Sequence, residues 1–147
     1  MATYTQILYH LVFGTKERVG TLETGHHEAL WRYVSGVLRN KECVVYIVGG
    51  HTNHLHILSS LHPSLCLANV IKDIKLSASK WIKSEKIFPS FSGWQDGYGA
   101  FTCAWADKER ICRYIEHQFE HHRQTTFEEE YEAMLQRAGI DYDPRYL

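Results

Sequence analysis

The stretch Cys43-Val44-Val45-Tyr46-Ile47-Val48-Gly49-Gly50-His51-Thr52-Asn53-His54-Leu55-His56-Ile57-Leu58 reads as two adjacent strands. Cys43 to Val48 is apolar and rich in β-branched residues. Gly49-Gly50 breaks it, and a second apolar run follows at Leu55 to Leu58, flanked by histidines. Side chains alternate across a strand, so His54 and His56 share one face and Leu55 takes the other.

Working outward, Thr5 to Phe13 alternates and carries β-branched and aromatic side chains up to Gly14, which predicts an opening strand. Between it and the histidine strands, Leu30, Val34, Val37 and Leu38 recur at helical spacing over His26 to Leu38. After them, Pro63-Ser64 introduces a longer helix marked by Leu67, Ala68, Ile71, Ile74, Ala78, Trp81 and Ile82, ending before Pro89. A glycine-bearing loop from Ser90 to Gly99 leads into a strand at Ala100 to Trp105. Asp107 can cap a third helix carrying Ile111, Tyr114, Ile115 and Gln118, and a last helix spans Phe127 to Arg137. The order β-α-β-β-α-β predicts an α+β fold: a ferredoxin-like or RRM-like antiparallel sheet with helices on one face, plus an appended C-terminal helix.

The chain has 147 residues, a size at which one domain over 1–147 is expected. Hydrophobic residues make up 44% and charged residues 22%, as in an ordinary globular chain. No segment is long and apolar enough to span a bilayer, and the first residues lack a secretory pattern, so a cytoplasmic location is expected. Cys43, Cys66, Cys103 and Cys112 form no C-x-x-C pair and read as reduced core thiols. The net charge of −1 argues against indiscriminate coating of nucleic acid, although Lys72, Lys75, Lys80, Lys83 and Lys86 crowd one segment. Lys72, Lys75 and Lys83 fall at steps that can share a helical face, and Lys16 and Arg18 follow the first strand. These five are the candidates for phosphate contacts.

His54 and His56 can supply two metal ligands from one rigid strand, with a third from elsewhere. Tyr114 and Gln118 stand four residues apart on one helical face, bringing a phenol and an amide oxygen toward the same cavity. A zinc pair from His117 and His121 is the competing metal reading, although it lacks the Glu of the metalloprotease motif.

Together these residues resemble the single-tyrosine HUH transposases of small insertion sequences and their REP-associated relatives. Tyr9 to Lys16 resembles the family's opening strand, Gly50 to Leu58 its histidine strand, and Ser64 to Lys83 its lysine-bearing helix. Trp94 to Phe101 is similar to a segment of one branch, and Tyr114 to Gln118 to the nucleophile helix. The resemblance implies that the appended helix carries the nucleophile, and that the enzyme cleaves and rejoins single-stranded DNA. Tyr114 would form a 5′-phosphotyrosine and release a 3′-hydroxyl, while His54, His56 and Gln118 hold Mg2+ or Mn2+. It further implies DNA hairpins at element ends as substrate, and a homodimer with active sites shared between chains. The Ala100 to Trp105 strand could pair with its own copy in such a dimer. Where the family commonly has an acidic residue before the first histidine, this chain has Asn53, and it ends without a basic extension. The alternatives are a non-catalytic RRM-like nucleic-acid-binding module and an inactive transposase copy. The base for Tyr114 is not identified by the sequence.

Overall fold

A computed structural model describes residues 2–147. Four strands, β1 (Leu8–Gly14), β2 (Val45–Gly50), β3 (His54–Ser59) and β4 (Gly99–Cys103), form one antiparallel sheet in the order β2-β3-β1-β4. The helices are α1 (His27–Asn40), α2 (Leu67–Glu85), α3 (Lys108–Glu116), α4 (Gln118–His121) and α5 (Phe127–Arg137). The predicted α+β order therefore holds.

Strand alternation divides the sheet into two chemically different faces. Leu11, Phe13, Leu55 and Ile57 point to one side and pack with Leu30, Val34 and Leu38 of α1 and with Val70, Ile71, Ile74, Ala78 and Ile82 of α2. Each such fully buried aliphatic side chain contributes about 1.5–3 kcal/mol, which makes this layer the main core. On the other side, Val12 packs against Phe127, Tyr131, Met134 and Leu135 of α5, and Leu8 and Leu58 pack against Ile115 of α3. His10, His54 and His56 have the same parity as Val12 and Leu58, so they lie under α3 to α5. The two helices of the β-α-β-β-α-β unit keep to one face, and the appended helices cover the other.

Four local expectations change. The first strand begins at Leu8 instead of Thr5. Gly49-Gly50 does not break its strand: β2 runs through both, and Gly49 pairs with His56. The reason for glycine is close approach, because a Cβ on Gly49 would stand 2.9 Å from both the carbonyl oxygen and Cγ2 of Ile115. The predicted third helix divides at His117 (φ −99°, ψ 30°), so Gln118 opens α4 instead of continuing α3. Finally, only Cys43 is a core thiol: Cys66 is exposed, Cys103 and Cys112 are partly buried, and all four are free. Among the described residues no helix is long and apolar enough to cross a membrane.

Candidate active site

His54 and His56 come from β3 and are fully buried on the face beneath α3 to α5. Period-two geometry points both rings the same way, and their centroids lie 5.1 Å apart. Tyr114, from the last turn of α3, comes within 5.8 Å of the His56 ring, centroid to centroid. Gln118 follows the break at His117 and is buried, its Oε1 2.9 Å from His54 Nε2. The sequence-predicted phenol, imidazole pair and amide thus meet within one chain.

The centre of the cluster is Glu130, which was not among the candidates from sequence. Its Oε1 lies 3.1 Å from His56 Nε2, 3.2 Å from His122 Nε2 and 3.3 Å from His54 Nε2. Its Oε2 accepts hydrogen bonds from the Tyr114 hydroxyl and, at 3.0 Å, from Gln118 Nε2. His121 Nε2 stands 3.3 Å from the same oxygen. The capping box of Thr126 and Glu129 fixes where α5 begins and so places Glu130 in the first turn, where the helix dipole favours a carboxylate. Phe127, from the same turn, stacks on His54 at 4.1 Å and 6° and seals the site from above.

Ring tautomers follow from the outer partners. His122 Nδ1 lies 2.6 Å from the Thr125 carbonyl oxygen, which can only accept, so Nδ1 carries a proton. His54 Nδ1 lies 2.8 Å from Asn53 Oδ1 and donates to it in the same way. Asn53 therefore orients the imidazole through a neutral amide oxygen, a weaker hold than a carboxylate would give. In the neutral rings, both Nε2 atoms then present lone pairs to the oxygens of Gln118 and Glu130. His122 Nε2 is 2.9 Å from Gln118 Oε1. Two imidazole nitrogens, an amide oxygen and a carboxylate facing one another call for a cation between them. The ligand atoms of His54, His122 and Glu130 all lie within 4.8 Å of one another, and this is the one such group among the described residues. The donor set fits a divalent ion, with His56 at its edge.

Without an ion between these atoms, a ring that takes a second proton at Nε2 becomes an imidazolium and donates to Glu130, and the pKa shifts follow from that alternative. Burial resists the charge on Glu130, but hydrogen bonds from His122, His54 and His56 outweigh it and hold the carboxyl far below its usual range. Burial lowers His54 to about 4, only partly offset by the hydrogen bond to Glu130. Burial and the neighbouring His56 lower His10 to about 3. Burial opposes charge on His122 as well, but its hydrogen bond to Glu130 prevails and raises its pKa. Burial and then the Glu130 charge push the Tyr114 phenol well above its ordinary value. His10, also missed from sequence, bonds His56 Nδ1 through Nε2 at 2.8 Å and thereby fixes that ring.

The proposed phosphate-binding cations are not gathered here. Lys72, Lys75 and Lys83 ride on α2, behind the opposite face of the sheet. Lys75 is further committed, donating to the carbonyls of Gln95 (3.0 Å) and Gly97 (2.6 Å), while burial lowers its pKa. Arg18 pairs with Glu128 at 2.9 Å, and Lys16 is exposed beside it. His117 turns outward to the Arg113 carbonyl, 2.7 Å away, so it does not join His121 in a zinc pair.

Comparison with known proteins gives the same fold. A solved structure named as a candidate transposase from Deinococcus radiodurans R1 is 20% identical, covering 80% of this chain and 95% of that one with a TM-score of 0.61. The structure of a REP-associated tyrosine transposase bound to a REP hairpin is 15% identical, covering 78% of this chain and 70% of that one with a TM-score of 0.55. No curated protein matches. The family described as "Transposase IS200 like" matches residues 3–118, a span containing Tyr114, both strand histidines and Gln118, and the chain belongs to that family.

Proposed function

We propose that this transposase cleaves and rejoins single-stranded DNA through a 5′-phosphotyrosine on Tyr114. The observation that carries the reading is the convergence, in one chain, of the Tyr114 phenol with His54, His56, Gln118, His122 and Glu130 around one carboxylate. His54, His122, Glu130 and Gln118 would hold Mg2+ or Mn2+, with His56 beside them. A bound divalent ion supplies positive charge at the scissile phosphate and offsets the carboxylate charge that keeps the phenol protonated.

Tyr114 Oη attacks phosphorus while Glu130 Oε2, already its hydrogen-bond partner, takes the phenolic proton. The P–O3′ bond breaks, the proton taken by Glu130 passes through water to the 3′-oxygen so that no net proton is gained or lost, and the phosphodiester energy is kept as a tyrosyl ester. A 3′-hydroxyl can later attack that ester, with proton flow reversed, and reseal a strand. Asn53 and His10 hold the imidazoles in register, and Phe127 keeps water from the donor set.

One domain over 1–147 carries all these groups, acting on cytoplasmic DNA. Hairpin DNA is the substrate class we favour, in line with the REP hairpin bound by the structurally similar transposase. Lys16 and Arg18 would meet the strand near the site, whereas Lys72 and Lys83 would contact a stem on the opposite face, with Lys75 left bracing the Gln95 to Gly97 loop. In a homodimer joined through the free edge of β4, exchanged α3 helices would rebuild the same site from two chains. An RRM-like binding module needs an open aromatic sheet face, whereas α3 to α5 and α1 to α2 cover the two faces here.

The test is incubation with labelled hairpin DNA bearing a randomised single-stranded flank, plus Mn2+. A denaturation-resistant protein–DNA adduct is expected, and it should vanish in Tyr114→Phe. An adduct that persists in that variant removes Tyr114 from the role.

A further inference from the structure

A cavity of about 750 Å3 opens beside the reacting phenol, between β4, α3 and the C-terminal end of α5. Tyr114 forms part of its wall. Phe101, Ile111 and Met134 give it apolar surface, and Arg110 and Arg137 carry guanidinium groups to it. His10, which fixes the His56 ring, also reaches it, so the cavity adjoins the candidate ion site through His10 and Tyr114.

The two arginines are available. Arg110 is 69% exposed, and its ion-pair contact among the described residues is Asp107 at 3.5 Å. Arg137 is exposed at the end of α5, where Nε donates to the Ala133 carbonyl at 3.3 Å and leaves the terminal nitrogens free for other acceptors. Its charge is felt at Tyr114, where it favours the phenolate. The volume lies within the range of about 300–1,000 Å3 typical of small-ligand sites. An aromatic and aliphatic lining with guanidinium groups and a nucleophile in the wall is complementary to one kind of group: a planar base with anionic phosphates attached.

We propose that this cavity is the subsite for a nucleotide flanking the scissile phosphate, its base seated against Phe101, Ile111 and Met134 and its backbone phosphates held by Arg110 and Arg137. The proposal rests on the reading of Tyr114 as nucleophile. It makes recognition at the cut depend on an unpaired base, and it gives α5 a second duty besides carrying Glu130.

The experiment uses the full chain and the tightest-binding strand from a randomised single-stranded pool, with single abasic positions stepped along it. Anisotropy in the Tyr114→Phe background reads binding without cleavage, and adduct formation by the otherwise unchanged protein reads chemistry. One abasic position is expected to weaken binding about tenfold, the scale of losing one stacked base. Arg110→Ala with Arg137→Ala should weaken binding of every strand, and Ala138→Trp, which narrows the cavity, should abolish the sensitivity to that one position. An adduct that forms with indifference to every abasic position and to both arginines overturns the subsite and leaves Tyr114 as nucleophile. Position-specific sensitivity that Ala138→Trp abolishes, without any adduct, supports the cavity as a base site and overturns the tyrosine reading.

Discussion

Glu130 joins Tyr114 to the histidines: one carboxylate oxygen accepts the phenol's hydrogen bond while the other faces Nε2 of His54, His56 and His122. The nucleophile and the candidate ion site are therefore charge-coupled through a single side chain. Glu130→Gln keeps the shape and removes the charge. It should weaken Mn2+ binding in calorimetry by about 10–100-fold, the usual cost of losing a ligand or its support. The Tyr114 phenol should also titrate lower than in the unsubstituted protein, because the carboxylate is one of the causes that raise it. Unchanged ion affinity together with an unmoved phenol titration would show that Glu130 touches neither partner in solution.

The histidine strands, the helices on one face and the tyrosine-glutamine pair were legible because each rests on a short-range period. Glu130 was hidden by its neighbours, since Glu128-Glu129-Glu130 looks like a solvated acidic run. A finer reading was available: Phe127, Tyr131, Met134 and Leu135 mark the apolar face of α5, and Glu130 falls on that same face. A carboxylate at a core position of an amphipathic helix signals a partner that offsets its burial. His10 and His122 could not be assigned this way, because their roles depend on a pairing 46 residues apart (His10 to His56) and on the turn that folds α5 back onto the end of α4 (His122 to Glu130).

His122 is predicted to be an ion ligand, since its Nδ1 is committed to the Thr125 carbonyl and its Nε2 faces Gln118 and Glu130. His122→Gln should lower Mn2+ affinity by about 10–100-fold. His117→Gln, altering an exposed ring bonded to its own helix, should leave affinity unchanged. The reverse order of effects would favour the His117–His121 pair and sink the assignment of His122.

In protein stripped of divalent ions, stability should fall as pH drops from 7.5 to 5. His54 is lowered to about 4 and His10 to about 3, so the folded state binds fewer protons than the unfolded chain below the ordinary value of 6.5. Each buried ring costs about 2 kcal/mol by pH 5. His122 has the opposite sign: its raised pKa adds stability below 6.5 that is lost as pH rises through the folded value, and so offsets part of the loss. Glu130, held low, contributes above about 4.5 and starts to be lost only in stronger acid. The expected net loss at pH 5 is about 2–4 kcal/mol by denaturant titration. A flat profile over this range would mean that His10 and His54 are solvated.

Gly49 sets the distance between the sheet and the nucleophile helix. A methyl group there would meet the Ile115 carbonyl oxygen and Cγ2 at 2.9 Å each, and Ile115 is the buried residue directly after Tyr114. Backbone cannot yield as a flexible side chain does, so Gly49→Ala should push α3 outward and cost about 1–3 kcal/mol of stability. The larger effect should be on adduct formation, by about 100-fold or more, because a shift of an ångström is enough to misalign an attacking oxygen. Ile115→Ala added to Gly49→Ala removes Cγ2 and leaves the carbonyl contact, so it should restore activity only in part. Gly36→Ala on α1 is the control, since its added methyl meets nothing within 4 Å and removes a helix-weakening glycine. If Gly49→Ala formed adduct as fast as Gly36→Ala, the close packing of α3 on β2 would not be what positions Tyr114.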